Sequence, residues 1–172
     1  MKKIFVFSMA IAAGLILSNC KGKQKSVAKG VVVYRETADP DMLNPINSSS
    51  ANATIVNDLI FGGIQGMNPQ TFDLTNVLLK GAPVVEEIKE GEFKGGMKIN
   101  FEFKDDAKWD NGTPVTGDDY LFTIKSIINP KTNCEHLKGY YSWLGDIQLD
   151  STNNRKITVF CKEQYFKITE FA

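Results

Sequence analysis

Residues 97–103 read Met-Lys-Ile-Asn-Phe-Glu-Phe, with apolar and polar side chains in strict alternation. Side chains of a strand point to opposite faces in turn, so this segment demands a sheet buried on one side only. The neighbouring segments agree with this demand. Val84 to Ile88 reads as a second strand, and the glycines 91, 95 and 96 between the two predict an antiparallel hairpin. Asp110-Asn111-Gly112-Thr113-Pro114 is a turn cluster. Thr116 then opens a helix, with Asp119 placed to complete a capping box and Val115 and Tyr120 at the staple positions. Leu121, Ile124, Lys125 and Ile128 are its expected inner face, and Asn129-Pro130 stops it, because the residue before proline avoids the helical region. A second hairpin is expected from Asp146–Asp150 to Lys156–Cys161 across Ser151-Thr152-Asn153-Asn154.

Earlier in the chain, Val31-Val32-Val33-Tyr34 predicts a short buried strand. Glu36 to Pro45 is rich in Pro, Asp and Asn, which make turns by fixing φ or by bonding their own backbone. Ile55, Val56, Leu59 and Ile60 fall on one helix face, with Ser50 or Asn52 as cap and Gly62-Gly63 as the end. Tyr165 to Ala172 reads as an apolar-faced helix just begun, without a C-terminal cap, so the polypeptide is expected to continue.

The first residues are an address. Met1-Lys2-Lys3 is basic, and Ile4 to Leu17 is almost wholly apolar. That run is shorter than the roughly 20 residues of a membrane span and fits the core of a secretory signal. Leu17-Ser18-Asn19-Cys20 follows it. This sequence resembles a bacterial lipobox, with Asn19 in place of the usual Gly or Ala, so residues 1–19 are expected to be removed and Cys20 acylated. Lys21 to Lys29 is polar and basic without apolar periodicity, and residues 20–30 read as the lipidated cysteine and a flexible tether, whose lysines could instead touch anionic headgroups.

Composition removes other function classes. Twenty Lys+Arg against 20 Asp+Glu give no net charge, and loss of Lys2 and Lys3 leaves an excess of two acids. No electrostatic footprint for nucleic acid remains. One His and three Cys leave little material for a zinc site. A calcium loop starting at Asp106 fails, because Lys108 and Asn111 stand where an oxygen ligand and a glycine are needed. His136 close to Cys134 makes no nucleophile–base pair, and nothing argues for a depressed thiol pKa. Catalytic residues, metal ligands and cofactors are therefore expected to be none. Cys134 and Cys161 could pair in an exported compartment, which spacing alone does not decide.

The stretch Phe101 to Tyr120 resembles the signature region of family 5 extracellular solute-binding proteins. These are the oligopeptide-, dipeptide- and nickel-binding lipoproteins or periplasmic proteins of ABC importers. A strand ending in a basic residue, an acid, Trp109, then Asp110-Asn111-Gly112-Thr113-Pro114 and a capped helix stand in that family's order. Asp39-Pro40-Asp41-Met42-Leu43-Asn44-Pro45 is similar to its opening turn, and Asn129-Pro130-Lys131-Thr132 to a later loop.

The resemblance implies a mixed α/β chain of the class II periplasmic-binding-protein-like, two-lobed fold. Residues 31–61 would start the large lobe, and 62–172 would be the small accessory domain, incomplete at its C-terminus. It implies capture of an oligopeptide and delivery to ABC permease subunits, without covalent chemistry, from an extracytoplasmic position on the membrane. The positions matching ligand contacts are Ser49, Ser50 and Ala51, and His136, Tyr140 and Tyr141. Tyr140, Tyr141 and Trp143 could equally be packing residues, and Trp109 is expected in the core. The competing reading is a structural or adhesion lipoprotein that reuses the lobe. Acyl labelling in the native host should depend on Cys20, and a Cys20→Ala variant that still labels would refute the anchor.

Overall fold

The computed structural model describes residues 29–165 and 168–171. The signal, Cys20 and most of the tether lie outside the described residues. Two compact units divide the chain after Glu36. In the first, Val31 to Tyr34 form no strand and are between 55% and 91% exposed. The expected buried strand is thus corrected. A β-branched run becomes a strand only when another strand takes its hydrogen bonds, and none does so here among the described residues.

In the second unit, helix α1 spans Ala51–Ile60 behind Ser50, which caps by position and not by a side-chain hydrogen bond. Its buried residues are Ala53 and Asn57, while Leu59 and Ile60 are exposed, so the expected apolar face is not the covered one. Strands β1 (Gln65–Met67) and β2 (Leu74–Asn76) then form a small antiparallel hairpin absent from the sequence reading.

The main sheet holds β3 (Val84–Glu87), β4 (Met97–Glu102), β5 (Leu144–Leu149) and β6 (Lys156–Cys161). Its order is β3-β4-β6-β5, antiparallel throughout. Both expected hairpins are present. Gly91 and Gly95 take φ values of 86° and 87° in the first turn, a region closed to most side chains.

The alternation of β4 lands as read. Ile99, Phe101 and Phe103 are buried, and Ile157, Val159 and Cys161 of β6 lie beside them. Helix α2 (Gly117–Ile128) covers this face. Its start is the capping box foreseen: Asp119 Oδ2 accepts from Thr116 N–H at 2.8 Å and from Thr116 Oγ1 at 3.1 Å. Val115 and Tyr120 are both buried. The inner face, however, is Gly117, Tyr120, Ile124 and Ile127; Leu121 is only half-buried, and Lys125 and Ile128 are exposed. Gly117 sets this rotation. A Cβ there would stand 2.7 Å from Leu149 Cδ2 and 3.1 Å from Asn154 O, so the helix approaches at its glycine. Tyr120 then meets the Phe101 ring edge-on at 5.3 Å.

Trp109 is 44% exposed, which corrects its expected place in the core. Its backbone N–H donates to Thr113 O at 2.8 Å and its carbonyl accepts from Gly112 at 2.9 Å, closing a tight turn. Ala107 and Val115, joined by a backbone hydrogen bond, fill the core position of this loop instead. Arg155 locks the loop to the second hairpin, donating from Nη1 to Lys104 O at 2.9 Å and to Val115 O at 3.0 Å.

After Asn129-Pro130 come the short helix α3 (Glu135–Lys138) and a 3-10 turn at Gly139–Tyr141. At the end of the chain a 3-10 turn spans Ile168–Phe171, and Ile168 is buried in the core. Among the described residues no helix is long and apolar enough to cross a membrane.

Gly96 lies so close to β6 that a Cβ would meet Cys161 O. Gly96→Ala should therefore destabilise the chain by about 2 kcal/mol, read as a lower midpoint in urea unfolding; an unchanged midpoint would contradict this contact.

Candidate functional site

The resemblance places ligand contacts on two segments, which the fold treats differently. Ser49, Ser50 and Ala51 stand at the start of α1, where the preceding loop is tied by side chains. Ser48 is buried; its Oγ donates to Asp41 Oδ1 at 2.6 Å and accepts from Ser50 N–H at 3.1 Å. Asp41 Oδ1 also accepts from Met42 N–H, and Asn44 Oδ1 from Ile46 N–H. The Ser48 hydroxyl beside Asp41 holds that carboxyl below its usual range. The outcome is a fixed helix entrance with Ser49 and Ala51 exposed and Ser50 half-buried.

His136, Tyr140 and Tyr141 follow Cys134, whose buried thiol donates to Ile127 O at 3.3 Å and so ties α3 to the end of α2. His136 and Tyr140 are exposed. Tyr141 is half-buried and packs against the buried Trp143, ring centres 6.2 Å apart. Burial raises the Tyr141 phenol pKa. Tyr141 is thus partly covered by Trp143, while His136 and Tyr140 face outward. Among the described elements α1 and α3 share no extensive contact, so the two sets remain separate surfaces.

The outward face of the main sheet carries a feature that the sequence reading missed. Cross-strand register lines up Val84, Asn100, Thr158 and Gln148 in one rung. The next rung alternates in charge, Glu102 beside Lys156, with Lys80 against Glu102 and Asp150 against Lys156 through their backbones. An open groove of about 720 Å³ runs along these rungs. Thr158 Oγ1 donates to Asn100 Oδ1 at 2.8 Å, and Asn100 Nδ2 to Glu86 Oε2 at 3.4 Å. Lys80 Nζ lies 2.7 Å from Glu102 and 3.0 Å from Asp105. The ammonium lowers the Glu102 pKa, and the two carboxylates raise that of Lys80. The available signal was the polar half of each alternation: Lys98, Asn100 and Glu102 against Lys156 and Thr158. These groups answer one another across the strands, as opposed pairs in sheets do. The groove holds no nucleophile–base arrangement, and no group of three metal-ligating side chains occurs among the described residues.

Cys134 and Cys161 are free and buried. Burial pushes the Cys161 thiol up to about 12 and raises the Tyr120 phenol well above its ordinary value.

No family model matches the chain. Two curated relatives do. The chain is 27% identical over 145 residues to the oligopeptide-binding protein OppA of Bacillus subtilis (strain 168), covering 80% of this chain and 24% of that protein. It is 29% identical over 152 residues to a dipeptide-binding protein of Lactococcus lactis subsp. cremoris (strain MG1363), covering 84% and 25%. The chain thus spans about a quarter of the length of the curated relatives it matches. Among solved structures, NikZ from Campylobacter jejuni in complex with Ni(L-His) superposes with a TM-score of 0.60 at 20% identity, over 77% of this chain and 24% of that one. The ABC transporter substrate-binding protein CtaP of Listeria monocytogenes gives 0.59 at 17%, over 79% and 25%. The oligopeptide-binding protein from Thermus thermophilus, solved with a pentapeptide, gives 0.55 at 18%, over 72% and 21%. The chain is therefore homologous to oligopeptide- and dipeptide-binding proteins and shares part of the solute-binding fold, in agreement with the family resemblance.

Native chain should leave Cys134 and Cys161 unmodified by Ellman's reagent near neutral pH and expose both in guanidinium. Because the folded state keeps the Cys161 and Tyr120 protons that the unfolded chain releases from about pH 9 upward, stability should fall as pH rises from there toward 12. Ready labelling of the native thiols, or a melting temperature flat over that range, would contradict the packing described.

Proposed function

We propose that this chain acts in the substrate-binding component of a peptide-type ABC importer. It captures oligopeptides outside the cytoplasm and hands them to the permease, without covalent chemistry. The observation that carries the reading is the likeness to two peptide-binding proteins over four fifths of the chain. The strand, turn and capped helix of residues 97–128 support it, since they fold as that resemblance requires.

In this reading Cys20 is the lipid-bearing residue and residues 21–30 are the tether. Residues 31–61 begin the large lobe, and 62–172 belong to the small accessory domain. Ser49, Ser50 and Ala51 meet the ligand from the entrance of α1; His136, Tyr140 and Tyr141 do so from α3 and the turn that follows it. Peptide selection of this kind rests on main-chain hydrogen bonds, with side-chain pockets loose enough to tolerate sequence.

Native mass spectrometry of the protein isolated from its own host should show a spread of bound peptide masses. Calorimetry with a mixture of short peptides should give heat that nickel–histidine does not. A ligand-free species with no peptide response would refute the reading. A response to nickel–histidine alone would replace the peptide with a metal chelate, the molecule in complex with one solved neighbour.

A further inference from the structure

We propose that Asn111 is a site of spontaneous deamidation, which its turn holds back while closed and permits when it opens, so that the product marks chains that have opened there. This chemistry does not depend on the function proposed above.

Asn111 is the one asparagine of the sequence that precedes a glycine. The attacking atom is the backbone nitrogen of the following residue, and a side chain on that residue would hinder its approach. The Gly112 nitrogen gives its proton to a solvent base and attacks Asn111 Cγ. A new C–N bond forms, the Cγ–Nδ2 bond breaks, and ammonia leaves behind a five-membered succinimide. Water then opens the ring at either carbonyl, giving aspartate or isoaspartate. Water is the only co-reactant.

The closed turn withholds both reacting groups. Gly112 N–H donates to Trp109 O at 2.9 Å, so the proton that must leave is already engaged. Asn111 Oδ1 accepts from Thr113 N–H at 2.9 Å and from Thr113 Oγ1 at 2.7 Å, which fixes the plane of the side-chain amide. Ring closure must turn the Gly112 nitrogen out of its own bond and onto Cγ. The base of the turn resists that rotation: Trp109 N–H donates to Thr113 O at 2.8 Å, and Lys108 bridges to Pro114. Asn111, Gly112 and Thr113 are all exposed, so the restraint comes from hydrogen bonds and not from exclusion of water.

One product cannot rebuild the turn. Isoaspartate routes the main chain through the former side chain and lengthens it by a methylene. The extra atom falls between Lys108 and Pro114, and just outside that bridge Ala107 and Val115 are buried and hydrogen-bonded to each other. A transient opening is thereby made lasting.

Peptide mapping by mass spectrometry after incubation in mildly alkaline buffer tests the site, with the acetylated and amidated peptide Ala-Lys-Trp-Asp-Asn-Gly-Thr-Pro-Val as reference. Asn111 should react at least about tenfold more slowly in the folded chain than in the peptide, because two or more hydrogen bonds must open first. In guanidinium the two rates should converge, with Asn111 the first asparagine to react. Thr113→Val, which removes the hydroxyl donor, should speed the folded chain about two- to tenfold and leave the peptide unchanged, and Thr113→Ser should restore the slow rate. Equal rates in folded chain and peptide, or another asparagine reacting first in guanidinium, would overturn the proposal. A slower Thr113→Val chain would overturn it too, by showing that the Thr113 donors activate the amide instead of restraining it.

Discussion

The pairing of β4 with β6 is the constraint on which the rest of the domain depends. Met97–Glu102 lies against Lys156–Cys161 in an unbroken register. The pair supplies the middle of the sheet and, on one face, Ile99, Phe101, Ile157 and Val159 of the core. Each fully buried side chain of this kind contributes about 1.5–3 kcal/mol, so this face is the main reason the elements around it hold together. β3 and β5 are added by short hairpins on either side. Helix α2 has a surface to settle on only once both strands are in place. The opposite face is polar for the same reason of alternation, and its charges meet in opposed pairs.

How much of this could be read in advance follows from range. The alternation of residues 97–103, the Thr116–Asp119 box, the Asn129-Pro130 stop and both hairpins are local patterns, and each stands where it was expected. Val31 to Tyr34 is a local pattern as well, but strand formation needs a neighbour, and no spacing within four residues can supply one. The inner face of α2 turned on Gly117. The apolar positions allowed either the row through Leu121, Ile124 and Ile128 or the row through Tyr120, Ile124 and Ile127, which share Ile124. Only the close approach to Leu149 and Asn154, contributed from another hairpin, chooses between them. Trp109, expected in the core, differs for a related reason: the turn that carries it buries Ala107 and Val115 instead.

The site was less legible than the fold. The positions named for ligand contact came from family resemblance, not from any convergence visible in the chain. The structure sorts them by surroundings: Ser49 and Ala51 at a fixed helix entrance, His136 and Tyr140 outward, Tyr141 against Trp143. The groove across the sheet was hidden by distance in sequence. Asn100, Thr158 and Gln148 form one rung only after β4, β6 and β5 have been aligned, and no single segment shows that register.

The same separation governs the order in which the chain can acquire structure. More than fifty residues lie between Glu102 and its partner Lys156. Closing so long a loop must precede the contacts that reward it. A chain emerging N-terminus first can form the β3–β4 hairpin early, yet Ile99 and Phe101 stay uncovered until the sixth strand arrives. The domain is therefore late to close, and a polypeptide passing through a narrow channel would present little folded obstruction before residue 161 had followed.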